Sequence, residues 1–365
     1  MSDHESSGAG KKLIEKAFFY LAKLNLALHR PVKVVVVGSV GKTSTKISLA
    51  KLLATEYEVS YMDDSYNDGI GLYLSVFELK VPTNSSVASW LLLFLRAMWR
   101  TITRHAAIIV LEYGISKPGD MDQMLKLAKP DVAVLTAVTP EHMEYLKTID
   151  IVGEEEVKAV RAAREMAIIN AEDVDKKYLK DINIPLSFYG DGGSADASFK
   201  INNLSTSGAE VDFTVDGKSL NDQNIRIVSD ALIRQLTGAI LTARRLGVSL
   251  ASIKEELPKL RPVPGRMQLF EGKNESVILD DTANFSPVAG IVALDVLKKL
   301  PVKRRIAILG NMHELGDYAD EGYEDVGKSF KGIDVFVLVG NLSREHFGKI
   351  AKKQGYIKNK TLLDF

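Results

Sequence analysis

The sequence predicts an α/β protein in two parts: a P-loop central domain with a mostly parallel sheet, then a smaller Rossmann-like C-terminal α/β domain. Three observations predict it. Val34 to Val37 are four β-branched residues that run straight into Gly38-Ser39-Val40-Gly41-Lys42-Thr43-Ser44, and Ile47, Leu49, Ala50, Leu52 and Leu53 then recur at helical spacing. From residue 32 to about 170, short apolar runs alternate with helical patterns, as parallel strands covered by helices require. After Arg261-Pro262-Val263-Pro264-Gly265, where two prolines and a glycine break the periodicity, the same alternation resumes.

The elements follow in order. The polar residues 1–10 read as disordered. Residues 11–29 form a basic amphipathic helix with Ile14, Phe18, Leu21, Leu24 and Leu28 on one side; it either packs on the body of the protein or contacts a membrane surface or a partner. Ala106 to Leu111 and Val132 to Ala137 are short β-rich runs, Glu154 to Glu165 is an Ala-rich charged helix, and Ala167 to Ile169 is a further strand. Residues 186–228 are rich in Ser, Asn, Asp and Gly around short alternating runs, which predicts antiparallel strands. Ala231 to Leu246 reads as a helix stopped by Gly247. Beyond the hinge, Val277 to Leu279, Ile306 to Leu309 and Val335 to Val339 read as parallel strands. The domain reading is 1–31 tail and helix, 32–262 central domain, and 263–365 C-terminal domain.

Bulk properties narrow the function. With 365 residues and 46% hydrophobic content the chain can bury two cores. Lys plus Arg equals Asp plus Glu at 47 each, so no global field draws nucleic acid. There is no cysteine, which excludes disulfides and thiolate metal sites and suits a reducing compartment. The first ten residues lack the apolar core of a secretory signal, and no run is long enough to span a bilayer; the nearest, Trp90 to Leu95, is closed by Arg96. A cytoplasmic location is expected.

The chemistry concentrates in the glycine turn. Gly38 and Gly41 let backbone N–H groups, with Ser39 and Ser44 beside them, approach phosphate oxygens at a helix N-terminus. Lys42 reaches β- and γ-phosphates, and the Thr43 hydroxyl suits Mg²⁺. The usual G-x-x-x-x-G-K-[ST] spacing is shortened here, since the residue six before Lys42 is Val36, inside the strand.

That shortened loop resembles the ATP loop of the Mur ligase family, enzymes that join amino acids or peptides to a carboxylate. Further segments over residues 32–340 are most similar to the branch that adds a D-alanyl-D-alanine dipeptide to a cell-wall precursor. Ser65-Tyr66-Asn67-Asp68-Gly69-Ile70-Gly71 resembles the family's asparagine-rich loop and implies a substrate contact for Asn67. Leu111-Glu112-Tyr113-Gly114 ends a strand, and the resemblance makes Glu112 a Mg²⁺ ligand with Thr43. His142, in Thr136-Ala137-Val138-Thr139-Pro140-Glu141-His142, matches the family's histidine for a second Mg²⁺. Many members carry a lysine whose carbamate holds that second ion. Lys158 fits by its distance to Asn170, whereas matching forward from His142 puts Glu156 there, an unmodified carboxylate. Asn170, in Ile169-Asn170-Ala171-Glu172-Asp173, implies recognition of the adenine edge.

In the second domain Gly265-Arg266-Met267 matches the family's Gly-Arg element, which implies that Arg266 neutralises the γ-phosphate on closure. Asp280-Asp281-Thr282-Ala283-Asn284-Phe285-Ser286-Pro287 implies that Asp281 takes the ribose hydroxyls and Asn284 meets substrate, with Ala283 in place of the usual tyrosine and Ser286 in place of the second asparagine. Gly310-Asn311-Met312-His313-Glu314-Leu315-Gly316 implies amine-site roles for Asn311 and Glu314. Lys42, Glu112, His142, Lys158 and Arg266 are thus the expected catalytic set, with ATP and Mg²⁺ as cofactors. A small-molecule or UDP-linked peptide and an amine or dipeptide are the expected substrates. Three departures accompany the resemblance. The domain that grips the UDP-sugar is missing before residue 32, Ser229-Asp230-Ala231 replaces a His-Asn pair, and the sequence stops at Phe365 before the family's last strands, which reads as truncation or reduction. A non-catalytic nucleotide-binding scaffold and a ligase for another small acid are the competing readings.

Overall fold

The computed structural model describes residues 3–66, 69–84, 86–192, 194–356 and 362–364. The first part runs α1 (Asp3–His29), β1 (Val32–Val37), α2 (Lys42–Leu53), β2 (Val59–Tyr61), α3 (Gly69–Ser75), α4 (Val87–Thr103), β3 (Ile108–Glu112), α5 (Asp120–Leu127), β4 (Val132–Leu135), α6 (Met143–Leu146), α7 (Ile149–Ala162) and β5 (Met166–Asn170). It continues with β6 (Leu186–Gly190), β7 (Ala197–Ser205), β8 (Gly208–Val215), β9 (Lys218–Ile225), α8 (Asp230–Arg245) and α9 (Leu250–Glu256). The second part holds β10 (Gln268–Glu271), β11 (Val277–Asp280), α10 (Pro287–Lys299), β12 (Ile306–Leu309), α11 (Ala319–Lys328), β13 (Val335–Leu338), α12 (Asn341–Lys353) and β14 (Leu362–Asp364).

β1 to β9 form one sheet in the order β2-β3-β1-β4-β5-β6-β7-β8-β9, parallel from β2 through β7 and antiparallel from β7 to β9. Every residue of β3 and β4 is buried, because helices cover both faces of the parallel strands. On one face Val35, Val37, Ile109 and Leu111 meet Phe18 of α1, Leu93 of α4 and Val157 of α7. On the other, Val34, Val36 and Val110 meet Leu49 of α2 and Leu236 and Ile240 of α8. Each such Val, Leu or Phe contributes about 1.5–3 kcal/mol relative to exposure. The second part has a parallel sheet β12-β13-β14, with a core of Phe330, Phe336 and Phe347. A small apolar seam of Val228, Met267, Val296 and Leu300 joins the two parts.

The structure differs from the sequence reading in four places. The first helix begins at Asp3, inside the segment read as disordered. Leu24 and Leu28, expected on the packed side of that helix, are 50% and 61% exposed; Phe18, Ala22 and Leu26, four residues apart, form the inner stripe instead. β6 joins the sheet parallel to β5, because residues 171–185 are long enough to cross over. β11 pairs antiparallel with β10, because the turn closed by Gly272 N–H donating to Ser276 O (2.7 Å) leaves no room for a crossover.

Candidate active site

The site lies where the parallel strands end. β1 delivers Gly38, β3 delivers Glu112, and the segment after β4 delivers Thr136 to His142. Gly38 (φ 123°) and Gly41 (φ 86°) both occupy the left-handed region. A Cβ on Gly38 would lie 2.7 Å from Ala137 N, so only glycine fits that close approach. The helices α4, α7, α8, α9 and α10 are capped by Ser86, Thr148, Ser229, Ser249 and Ser286, but α2 starts at Gly41 with no side-chain cap and no acid in its first turn. Its first N–H groups therefore remain available to an anion.

Lys42 is buried and donates Nζ to Gly38 O (2.5 Å) and Ser39 O (3.0 Å), with Glu141 Oε2 3.6 Å away. Burial alone would lower its pKa, but Glu141, Glu156 and Glu112 outweigh burial and raise it, so the ammonium persists. Thr43 Oγ1 and Ser65 Oγ both donate to Glu112 Oε1, at 3.0 and 2.9 Å, while Lys46 Nζ lies 3.0 Å from Glu112 Oε2. Burial works against ionisation of Glu112, and Lys46 and Lys42 overcome it, holding its pKa below the ordinary value. Ser39 Oγ donates to Thr139 O, tying the loop to the next strand end, and Ser44 lines the cleft.

The second part closes the other wall of a cleft of about 560 Å³. Arg266, Asp281, Asn284, Asn311 and Glu314 all line it. Asp281 Oδ1 accepts Met267 N–H (3.1 Å); burial pushes the Asp281 carboxyl up to about 6, opposed by that bond and by Arg266. Asn311 Oδ1 accepts Ser343 N–H (2.9 Å). Glu314 hydrogen-bonds His142 Nδ1 through its side chain and accepts Glu144 N–H (3.0 Å) through its carbonyl, which clasps the two parts together.

Lys158 stands apart from the cleft, Asn170 is engaged within the chain, and Asn67 lies outside the described residues. Lys158 is not in the cleft: its Nζ pairs with Asp122 Oδ2 of α5 (2.7 Å) and with the buried Glu155 Oε1 of α7 (2.6 Å). Glu156, two residues earlier and so on another side of the helix, accepts Gly38 N–H (2.8 Å) beneath the loop, and burial raises its pKa to about 8. Of the two, Glu156 and not Lys158 lies against the loop. Asn170 is fully buried, and its amide donates to Thr136 O and Asp173 Oδ2, both at 2.7 Å. The first bond ties the ends of β4 and β5, and the second is local to the turn after β5. His142 lines the cleft, with Glu314 and Glu141 as its neighbours.

The sequence reading missed Lys46, Glu141, Arg234 and Gln235. Lys46 sits one turn after Lys42 on the same face of α2, a spacing that could have flagged it. Glu141 was adjacent to the assigned His142. Gln235, whose Oε1 accepts from Thr45 Oγ1 and Tyr189 OH, and Arg234, which donates to Asp173 and Asp191, come from α8 with no local signal.

The fold and cleft define a two-domain nucleotide-binding protein of the P-loop class. Residues 36–243 match the Mur ligase middle domain and residues 265–361 the Mur ligase glutamate ligase domain. The chain belongs to the Mur ligase family, whose members are ATP-dependent ligases. It is 26% identical over 340 residues to the UDP-N-acetylmuramoyl-tripeptide--D-alanyl-D-alanine ligase of Bacillus subtilis, covering 90% of this chain and 68% of that protein. It is 25% identical over 325 residues to the ligase of the same name from Rickettsia prowazekii, covering 86% of this chain and 67% of that one. The solved MurF ligase of Thermotoga maritima in complex with ADP shares the fold, with a TM-score of 0.76, 24% identity, and coverage of 96% of this chain and 79% of that one. The chain spans about two thirds of the length of the B. subtilis and R. prowazekii relatives.

Proposed function

We propose that this chain is an ADP-forming amide-bond ligase that adds D-Ala-D-Ala, or a related amine, to a peptidoglycan-precursor carboxylate through an acyl phosphate. One observation carries the reading: Lys42, the Thr43–Glu112 pair backed by Lys46, Arg266 and Asp281 come from two domains, and all but Lys46 line one cleft. The names of the relatives supply the substrate class. In the first step a carboxylate oxygen bonds to the γ-phosphorus and ADP leaves. In the second the amine nitrogen bonds to the acyl carbon, phosphate leaves with the C–O electron pair, and the nitrogen gives up a proton. The obstacle is repulsion between a carboxylate and a triphosphate. Lys42 and the uncapped first turn of α2 offset it on one wall and Arg266 on the other, by position and charge.

Thr43 Oγ1, Ser65 Oγ and Glu112 Oε1 lie within 3.3 Å of one another, a hard-oxygen set that fits Mg²⁺. Bound there, Mg²⁺ would neutralise phosphate charge. A UDP-linked precursor and ATP would meet the chain in the cytoplasm.

Phosphate release, screened across UDP-linked muramyl peptides with D-Ala-D-Ala and other amines, tests the reading. Turnover with one such pair is expected. Nucleotide binding without turnover across the whole screen would favour the scaffold. The ribose assignment has its own pH signature. Asp281 accepts hydroxyl hydrogen bonds better once ionised, so the KM for ATP should fall several-fold as pH rises through about 6. In Asp281→Asn that pH dependence should flatten; an unchanged profile assigns the titration elsewhere.

A further inference from the structure

Helices α1 and α4 lie side by side on one face of the sheet, and their outward sides form an apolar surface that the catalytic reading does not use. Phe18 packs edge-on against Trp90 and Phe94, and His29 Nε2 bonds Thr101 O at 2.7 Å, so the two helices run parallel. Only Leu93, Ala97 and Thr101 of α4 are buried, and its outer side presents Leu91, Leu95, Trp99 and Ile102, the last two 67% and 69% exposed. Leu24 and Leu28 of α1 are exposed as well.

The charge around it is one-sided. Residues 12–30 and 87–105 hold seven Lys or Arg and one acid, Glu15, in a chain whose charges balance at 47 each. Arg104 is paired with Glu78 and Arg100 bonds Phe77 O and Glu78 O. Lys12, Lys16, Lys23 and Arg96 are exposed with no acidic partner among the described residues. We propose that this face rests on an anionic lipid bilayer, with the leucines and Trp99 at the acyl boundary and the free cations among the headgroups. A bilayer offers an apolar layer and a negative layer at the same time, matching the two chemistries of this face. No helix among the described residues is long and apolar enough to cross a membrane, so the chain lies on the surface. Both helices lead into the N-terminal ends of strands β1 and β3, and the cleft opens at the opposite ends, so docking leaves it free.

The test uses the full chain with vesicles of phosphatidylcholine alone or mixed with phosphatidylglycerol. The chain has two tryptophans, so Trp90→Phe leaves Trp99 as the single reporter. Co-sedimentation should be about tenfold greater with the anionic vesicles, weaken in high salt, and accompany a blue shift of Trp99 emission. Leu95→Glu with Trp99→Glu should remove that binding while the thermal melt stays put. Absence of co-sedimentation by the parent chain, or binding that survives the double substitution, overturns the proposal. So does shielding of Trp99 that grows with protein concentration in lipid-free buffer, which would give the face to a second copy.

Discussion

Lys42→Ala is expected to slow ADP release by on the order of 10³-fold while the fold persists. The side chain is buried beneath the loop and is held by two carbonyls of that same loop, so its charge is fixed in position before any phosphate arrives. Neighbouring acidic side chains, Glu141 first among them, keep it protonated against the cost of burial. A positioned cation of this kind loses little to reorganisation when charge builds on transferring oxygens. The alanine variant removes the cation and leaves the glycine backbone, the strand and α2 untouched. Circular dichroism and thermal melting should stay close to the parent, and single-turnover ADP formation should collapse. ADP formation at the parental rate would take the loop out of the chemistry.

Glu112→Gln is expected to fail in a second way, by losing stability as well as activity. Glu112 and Lys46 have side chains 1% and 2% exposed, 3.0 Å apart. Removing the carboxylate leaves a buried ammonium without its counter-charge, a loss of about 3–5 kcal/mol. The pH dependence follows from the lowered pKa of Glu112. The pair's contribution is present above the ordinary value of 4.5 and is lost as pH falls through the lower folded value, so parent and variant should converge in acid. Glu112→Gln combined with Lys46→Met removes the stranded charge and should restore most of the stability at pH 7 without restoring ADP release. A double variant as unstable as the single one would show that the pair is not the origin of the loss.

Much of this was legible from local sequence. The phosphate loop could be read because strand, glycines, lysine and threonine are contiguous, and the geometry each requires is set by near neighbours: positive φ at Gly38 and Gly41, and helical spacing from Lys42 onward. Glu112 could be placed because a carboxylate ending a buried run faces the crevice of a parallel sheet. Lys158 and Glu156 could not be separated. They are two residues apart on α7, and only the packing of that helix against the sheet decides which one points at Gly38. Asn170 shows a related limit: the sequence cannot tell where its amide donors go, and the fold engages them on Thr136 and Asp173.

The sequence by itself determined the class of the fold, the glycine-rich loop between β1 and α2, and the family, because these rest on residues close together along the chain. The tertiary structure alone decided the partners of the charges: Glu141 beside Lys42, Gln235 beside Thr45, Glu314 on His142, and the outward turn of Trp99 and Ile102. Those pairings join positions about 100 to 190 residues apart, or depend on which side of a helix meets the sheet. Long-range packing fixes them, and it leaves no periodic trace in the sequence.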